Sequence, residues 1–106
     1  AARAPIHIAL QEYYDALNAS SGGTALLLSS KGEEYSLEDR GLRSGIFSHF
    51  LIRGLKGEAN TNSDNLITVR ELFNFVHQRV RQYTGNVQTP TLTGTFDDNM
   101  PVSVIR

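Results

Sequence analysis

The feature that most limits what this chain can fold into is the run Ala25-Leu26-Leu27-Leu28, entered through Gly22-Gly23 and left through Ser29-Ser30. Its shortness, its lack of polar alternation and its glycine boundary predict a strand over Thr24 to Ser29 that is buried on both faces. Such a strand needs hydrogen-bonding neighbours along its edges, because unpaired backbone groups are costly away from water. It also needs apolar cover above and below, because leucine surface left in water forfeits its burial free energy. Either the rest of the chain supplies both, or another segment does.

The remaining elements can be read in order. From Pro5 to about Asn18, Ile6, Ala9, Leu10, Tyr13, Ala16 and Leu17 recur at steps of three and four, predicting an amphipathic helix with Pro5 at its first position. Residues 29 to 44 are polar, with glycine at 32 and 41 and no period. They read as a long loop after a buried strand, the place where α/β proteins put ligand sites. Ser44 is placed to cap a helix whose face is Ile46, Phe47, Phe50, Leu51 and Leu55, stopped by Gly57.

Thr68-Val69-Arg70-Glu71 is a capping box flanked by Ile67 and Leu72 at the staple positions. The helix it opens runs through Leu72, Phe73, Val76, Val80 and Tyr83 and is ended by Gly85. Gln88 to Phe96 reads as a second strand, which Pro90 keeps from being central at its start. Two strands and three helices do not satisfy a strand as apolar as 24 to 29. The pattern therefore predicts that residues 1 to 106 are a single unit completing a larger sheet, most of which comes from another segment.

Composition narrows the function. Ten basic against eleven acidic residues, with neither sign in a run, argue against nucleic acid and against a membrane surface as partner. No apolar stretch approaches the roughly 18 residues of a membrane span, and Ala1-Ala2-Arg3-Ala4-Pro5 lacks the apolar core of a secretory signal. A cytoplasmic protein is expected. The chain has no cysteine, which removes disulfides, thiolate metal sites and a thiol nucleophile.

The ordered set Leu26-Leu27-Leu28-Ser29-Ser30, the loop through Glu38, Gly45-Ile46-Phe47 to Gly57, Ile67-Thr68-Val69-Arg70-Glu71-Leu72, and Gln88-Thr89-Pro90 to Gly94 resembles the C-terminal half of the caspase-like fold. The likeness is nearer to bacterial members and metacaspases than to animal caspases. It implies an α/β three-layer sandwich in which this chain supplies the C-terminal strands and helices of a mostly parallel sheet. It also implies a small subunit of a cysteine endopeptidase, with no catalytic residue here and the cysteine and histidine on a large subunit. In that family the mechanism is acyl transfer from a thiolate activated near a histidine.

The family's loop after the strand lines the pocket for the residue before the scissile bond, and its counterpart here is Ser30 to Glu38. By that resemblance Ser36 matches the pocket serine and Glu33 an acidic position of metacaspase-like members. Glu38 falls where animal caspases carry an arginine that pairs with substrate aspartate. With Ser30, Glu33, Glu34, Ser36 and Glu38 as pocket residues, the expected substrate carries arginine or lysine, since a guanidinium meets a carboxylate in two charge-assisted hydrogen bonds. Without the resemblance, such a loop has the composition of a solvated surface. The family's last strand pairs across a two-fold axis in animal caspases and is blocked in metacaspases, so a homodimer through residues 89 to 95 is left open.

Two other readings stand beside this one. The same half-domain would serve a caspase-like module without activity, used for binding or signalling. Residues 60 to 71 also parse as a twelve-residue calcium loop with Asn60, Asn62, Asp64 and Glu71 at oxygen-ligand positions. Position one is Asn where Asp is usual, position six is Asn where Gly is usual, and Glu71 is engaged in the capping box, so calcium would be held weakly. No cofactor is expected. His7, His49 and His77 lie on or beside helical faces without ligand spacing and are assigned no role.

Overall fold

The capping box at Thr68 forms as its sequence predicts, and the best-packed part of the molecule is built around it. In the computed structural model, which describes residues 6–29, 37–62 and 64–105, Thr68 Oγ1 accepts the Glu71 N–H at 3.2 Å. The Glu71 carboxylate accepts the Thr68 N–H in return at 3.0 Å. Strand β2 (Leu66–Thr68) thereby runs directly into helix α3 (Val69–Tyr83). Ile67 and Leu72, the staple pair, both belong to the core.

Around α3 lie α1 (Ile6–Ala19), β1 (Gly23–Leu28), α2 (Leu37–Arg53), a π-helical turn (Gly54–Glu58), β3 (Thr91–Phe96) and β4 (Pro101–Val104). The core joins Phe50 of α2, Ala59, Ile67, the α3 residues Leu72, Phe75, Val76 and Val80, and Ile105. Ile46, Phe47, Leu51, Leu55, Val102 and Leu27 pack at its margin. The π-helical turn approaches α3 closely at Gly54, where a β-carbon would sit 2.9 Å from Leu72 Cδ1 and 3.1 Å from Phe75 Cδ2. The two glycines read as helix stops are left-handed, with φ of 133° at Gly57 and 62° at Gly85. Beyond Gly85 the Asn86 N–H closes back on the Arg81 carbonyl at 2.8 Å.

Several expectations need correction. α2 begins at Leu37, so Ser44 lies inside the helix and not at its cap. The apolar side of Ile46 to Leu51 anchors the helix on α3, and upstream turns then propagate at little cost, each residue adding one backbone bond. Tyr83, read as part of the apolar face of α3, is 70% exposed. β2 and β4 are strands that periodicity did not reveal, being three and four residues long.

The sheet departs further from expectation. Among the described residues there are two two-stranded sheets, β1 with β3 and β2 with β4, and both are antiparallel. The α/β composition holds, while the expected mostly parallel sheet is corrected: both strand pairs among the described residues are antiparallel. Between β1 and β3 the chain passes through α2, the π-helical turn, β2 and α3 before β3 returns antiparallel to β1.

Candidate functional site

The leucine strand is covered on one side only. Side chains alternate across a strand, and Leu27 points to the core while Leu26 and Leu28, on the opposite face, are 55% and 42% exposed. Their register partners on β3 are Thr93 and Thr91. This corrects the expectation of burial on both faces within the fold at hand. α1, the helix that might have covered the outer face, packs instead on β4 and β2. Tyr13 Oη donates to the Pro101 carbonyl at 3.1 Å, and Asn65 Nδ2 to Glu12 Oε2 at 3.3 Å. Among the described residues each strand of the β1–β3 pair has one free edge.

At its C-terminal end β1 delivers the chain to Ser29, whose carbonyl accepts the Gln88 side-chain amide at 2.7 Å. Ser30, Glu33, Glu34 and Ser36 follow and lie outside the described residues. Glu38 falls in the first turn of α2, with its side chain outside the described set. The structure thus locates the two ends of the expected pocket loop, Ser29 at the end of β1 and Leu37 at the start of α2, and leaves the five side chains themselves undescribed.

The loop read as a weak calcium site holds itself together. Glu71 Oε2 accepts from the Thr61 N–H at 2.9 Å and from Thr61 Oγ1 at 2.6 Å, while Oε1 takes the Thr68 N–H. Burial opposes the charge on Glu71, yet the hydrogen bonds from Thr61 and Thr68 outweigh it and hold the carboxyl below its usual range. Asn60 Oδ1 accepts the Asn62 N–H at 3.3 Å, and Asn62 Oδ1 the Asp64 N–H at 3.2 Å. Asp64 Oδ1 accepts the Leu66 N–H at 3.2 Å. These are the side-chain turns expected of such residues in a tight loop. Bidentate use of Glu71 by a cation would compete with the three hydrogen bonds its carboxylate already accepts. Among the described residues no three His, Cys, Asp or Glu side chains converge as a metal set.

His49 meets Phe50 edge to face and His77 lies tilted against Phe73, with centroids 5.0 and 5.3 Å apart; the His7 side chain lies outside the described set. His49 also lines an apolar groove of 370 Å³ with Leu42, Ile46, Phe50 and Tyr83. Gln88, quoted in the sequence only as the start of Gln88-Thr89-Pro90, was given no role of its own there. Among the described helices none is long and apolar enough to cross a membrane. Comparison with known proteins found no family model, no curated protein and no solved structure that matches this chain.

Proposed function

We propose that this chain is the small-subunit half of a caspase-like cysteine endopeptidase, working in the cytoplasm together with a large subunit that carries the catalytic cysteine and histidine. The observation that carries the reading is the half-covered leucine strand: Leu26 and Leu28 face outward beside two free strand edges. A two-stranded sheet is marginal by itself, and this one is shaped to receive further strands and a second layer. An antiparallel strand at the margin of an otherwise parallel sheet is a common arrangement, and the β1–β3 pair is compatible with it. The free edge of β3 is where a homodimer through the strand read at residues 89 to 95 would form.

In this reading the large subunit's thiolate attacks the scissile carbonyl, and water releases the acyl-enzyme. The present chain supplies specificity through Ser30, Glu33, Glu34 and Ser36, which follow β1 in sequence, and Glu38, in the first turn of α2. A pocket with that many carboxylates disfavours an aspartate substrate by several kcal/mol, on the order of a like-charge contact in a site. Arginine is preferred before lysine.

The test is to purify residues 1 to 106 together with the segment that supplies the cysteine and histidine, and to compare peptides ending in Arg, Lys and Asp. Hydrolysis after Arg and Lys with Asp left intact is expected. Equal turnover of the Asp peptide removes the pocket assignment, and no hydrolysis of any peptide by an assembled, cysteine-containing complex removes the enzyme.

A further inference from the structure

Helices α2 and α3 run antiparallel: Phe50 meets Tyr83 with ring centroids 5.8 Å apart, while Gly54, just past the end of α2, approaches Leu72 and Phe75 on earlier turns of α3. Between them lies the groove lined by Leu42, Gly45, Ile46, His49, Phe50 and Tyr83. Glycine inside a helix is unfavourable relative to alanine, and at Gly45 it leaves one wall bare, since an added β-carbon would meet nothing within 4 Å. Charge is confined to one end. Arg53 follows His49 by one turn on α2 and Arg79 precedes Tyr83 by one turn on α3. Arg53 rests over the Phe50 ring, 5.7 Å from its centroid, and donates twice to Glu58, at 3.0 and 2.7 Å. Arg79 Nη1 stands 3.9 Å from the same carboxylate, too far for a hydrogen bond. Among the described ion pairs two arginines thus share one glutamate, and that end of the groove carries a surplus positive charge.

An apolar groove with one cationic end selects an amphipathic anion, and its size decides which kind. At 370 Å³ it stands near the lower limit of small-molecule sites, roughly 300 to 1,000 Å³. Its lining falls well short of the roughly 20 to 30 residues a side of a stable protein interface. We propose that the α2–α3 groove is a binding site for a small apolar carboxylate, its hydrocarbon laid against Leu42, Ile46 and Phe50 and its acid received by Arg79. The planar guanidinium fork accommodates both carboxylate oxygens. Such a site serves the chain whether or not it is half of a protease.

The experiment titrates sodium octanoate, with octanamide as its uncharged counterpart, into the full-length protein that carries this chain, following the leucine and isoleucine methyl signals by NMR. Saturable octanoate binding at about millimolar concentration is expected, the scale for a ligand of this size, with the Leu42 and Ile46 signals shifting. Octanamide is expected to bind about fivefold more weakly, the upper range for a partly exposed ion pair. Arg79→Gln should weaken octanoate by about the same factor and leave octanamide unchanged. Gly45→Leu, which fills the groove from a position where the new side chain displaces nothing, should weaken both by about tenfold or more without lowering the melting temperature. Equal binding of the two ligands, or octanoate binding untouched by Gly45→Leu, overturns the proposal. Binding of an acidic amphipathic helical peptide with none of octanoate also overturns it and marks a protein-docking surface instead. Should Arg79→Gln not fold, the wild type decides by salt: the octanoate-to-octanamide affinity ratio is expected to fall toward one as salt screens the arginine, and a ratio independent of salt overturns the proposal.

Discussion

Replacing Leu26 and Leu28 together by threonine tests whether the outer face of β1 is a docking surface. The two side chains are 55% and 42% exposed, so close to one whole leucine side chain remains in water in this chain. Covering that surface is worth about 2 kcal/mol, or roughly thirtyfold in an association constant. Threonine suits a strand and would match the Thr93 and Thr91 partners across the ladder, so the chain's own fold should be little affected. The assay is titration calorimetry of the double variant against the cysteine- and histidine-bearing segment, with sedimentation of residues 1 to 106 alone as a companion. The chain alone is expected to self-associate and bind a hydrophobic dye, and the variant to do less of both. Association within threefold of wild type, or a chain that is monodisperse and unfolds cooperatively with no dye binding, would refute the idea that this face waits for a partner.

Four further outcomes follow from the loop and turn geometry. Thr68→Ala should cost about 1 kcal/mol in a denaturant melt, the usual worth of an N-cap, and Glu71→Ala about 2 to 4 kcal/mol, because its carboxylate receives three hydrogen bonds. Asp97 is held below its usual range by the N–H groups of Ser21 and Asn99. Its contribution is therefore present above the unfolded value of about 3.9 and lost as pH falls through the lower folded one. Melting temperatures from pH 6 to 2.5 should fall less steeply in Asp97→Asn; parallel curves would discount the link between the two turns. Calorimetric titration with calcium at sub-millimolar concentration should give no binding heat, since Glu71 is already engaged; a saturating isotherm lost in Asp64→Ala would reverse that reading.

Local chemistry was legible wherever one segment decided its own outcome. The Thr68–Glu71 box, the stops at Gly57 and Gly85 and the apolar stripe of α3 as far as Val80 depend on neighbours within a few residues, and all are present. The start of α2 was not legible, because residues 37 to 44 have weak preferences and follow the packed turns after them. The pocket assignment of Ser30, Glu33, Glu34, Ser36 and Glu38 came from resemblance, not from any local pattern: a polar loop of this composition reads equally as a solvated surface.

The sequence by itself determined that Ala25 to Leu28 is a strand and that it asks for more apolar cover than three helices readily give, since that demand is set by composition and length alone. Only the tertiary structure decided that β3 pairs with it antiparallel, that α1 goes to β4 and leaves Leu26 and Leu28 outward, and that Gln88 reaches Ser29. Those outcomes depend on which surfaces meet across dozens of residues, and the free energy of such meetings is a property of the packed whole that no window of the sequence contains.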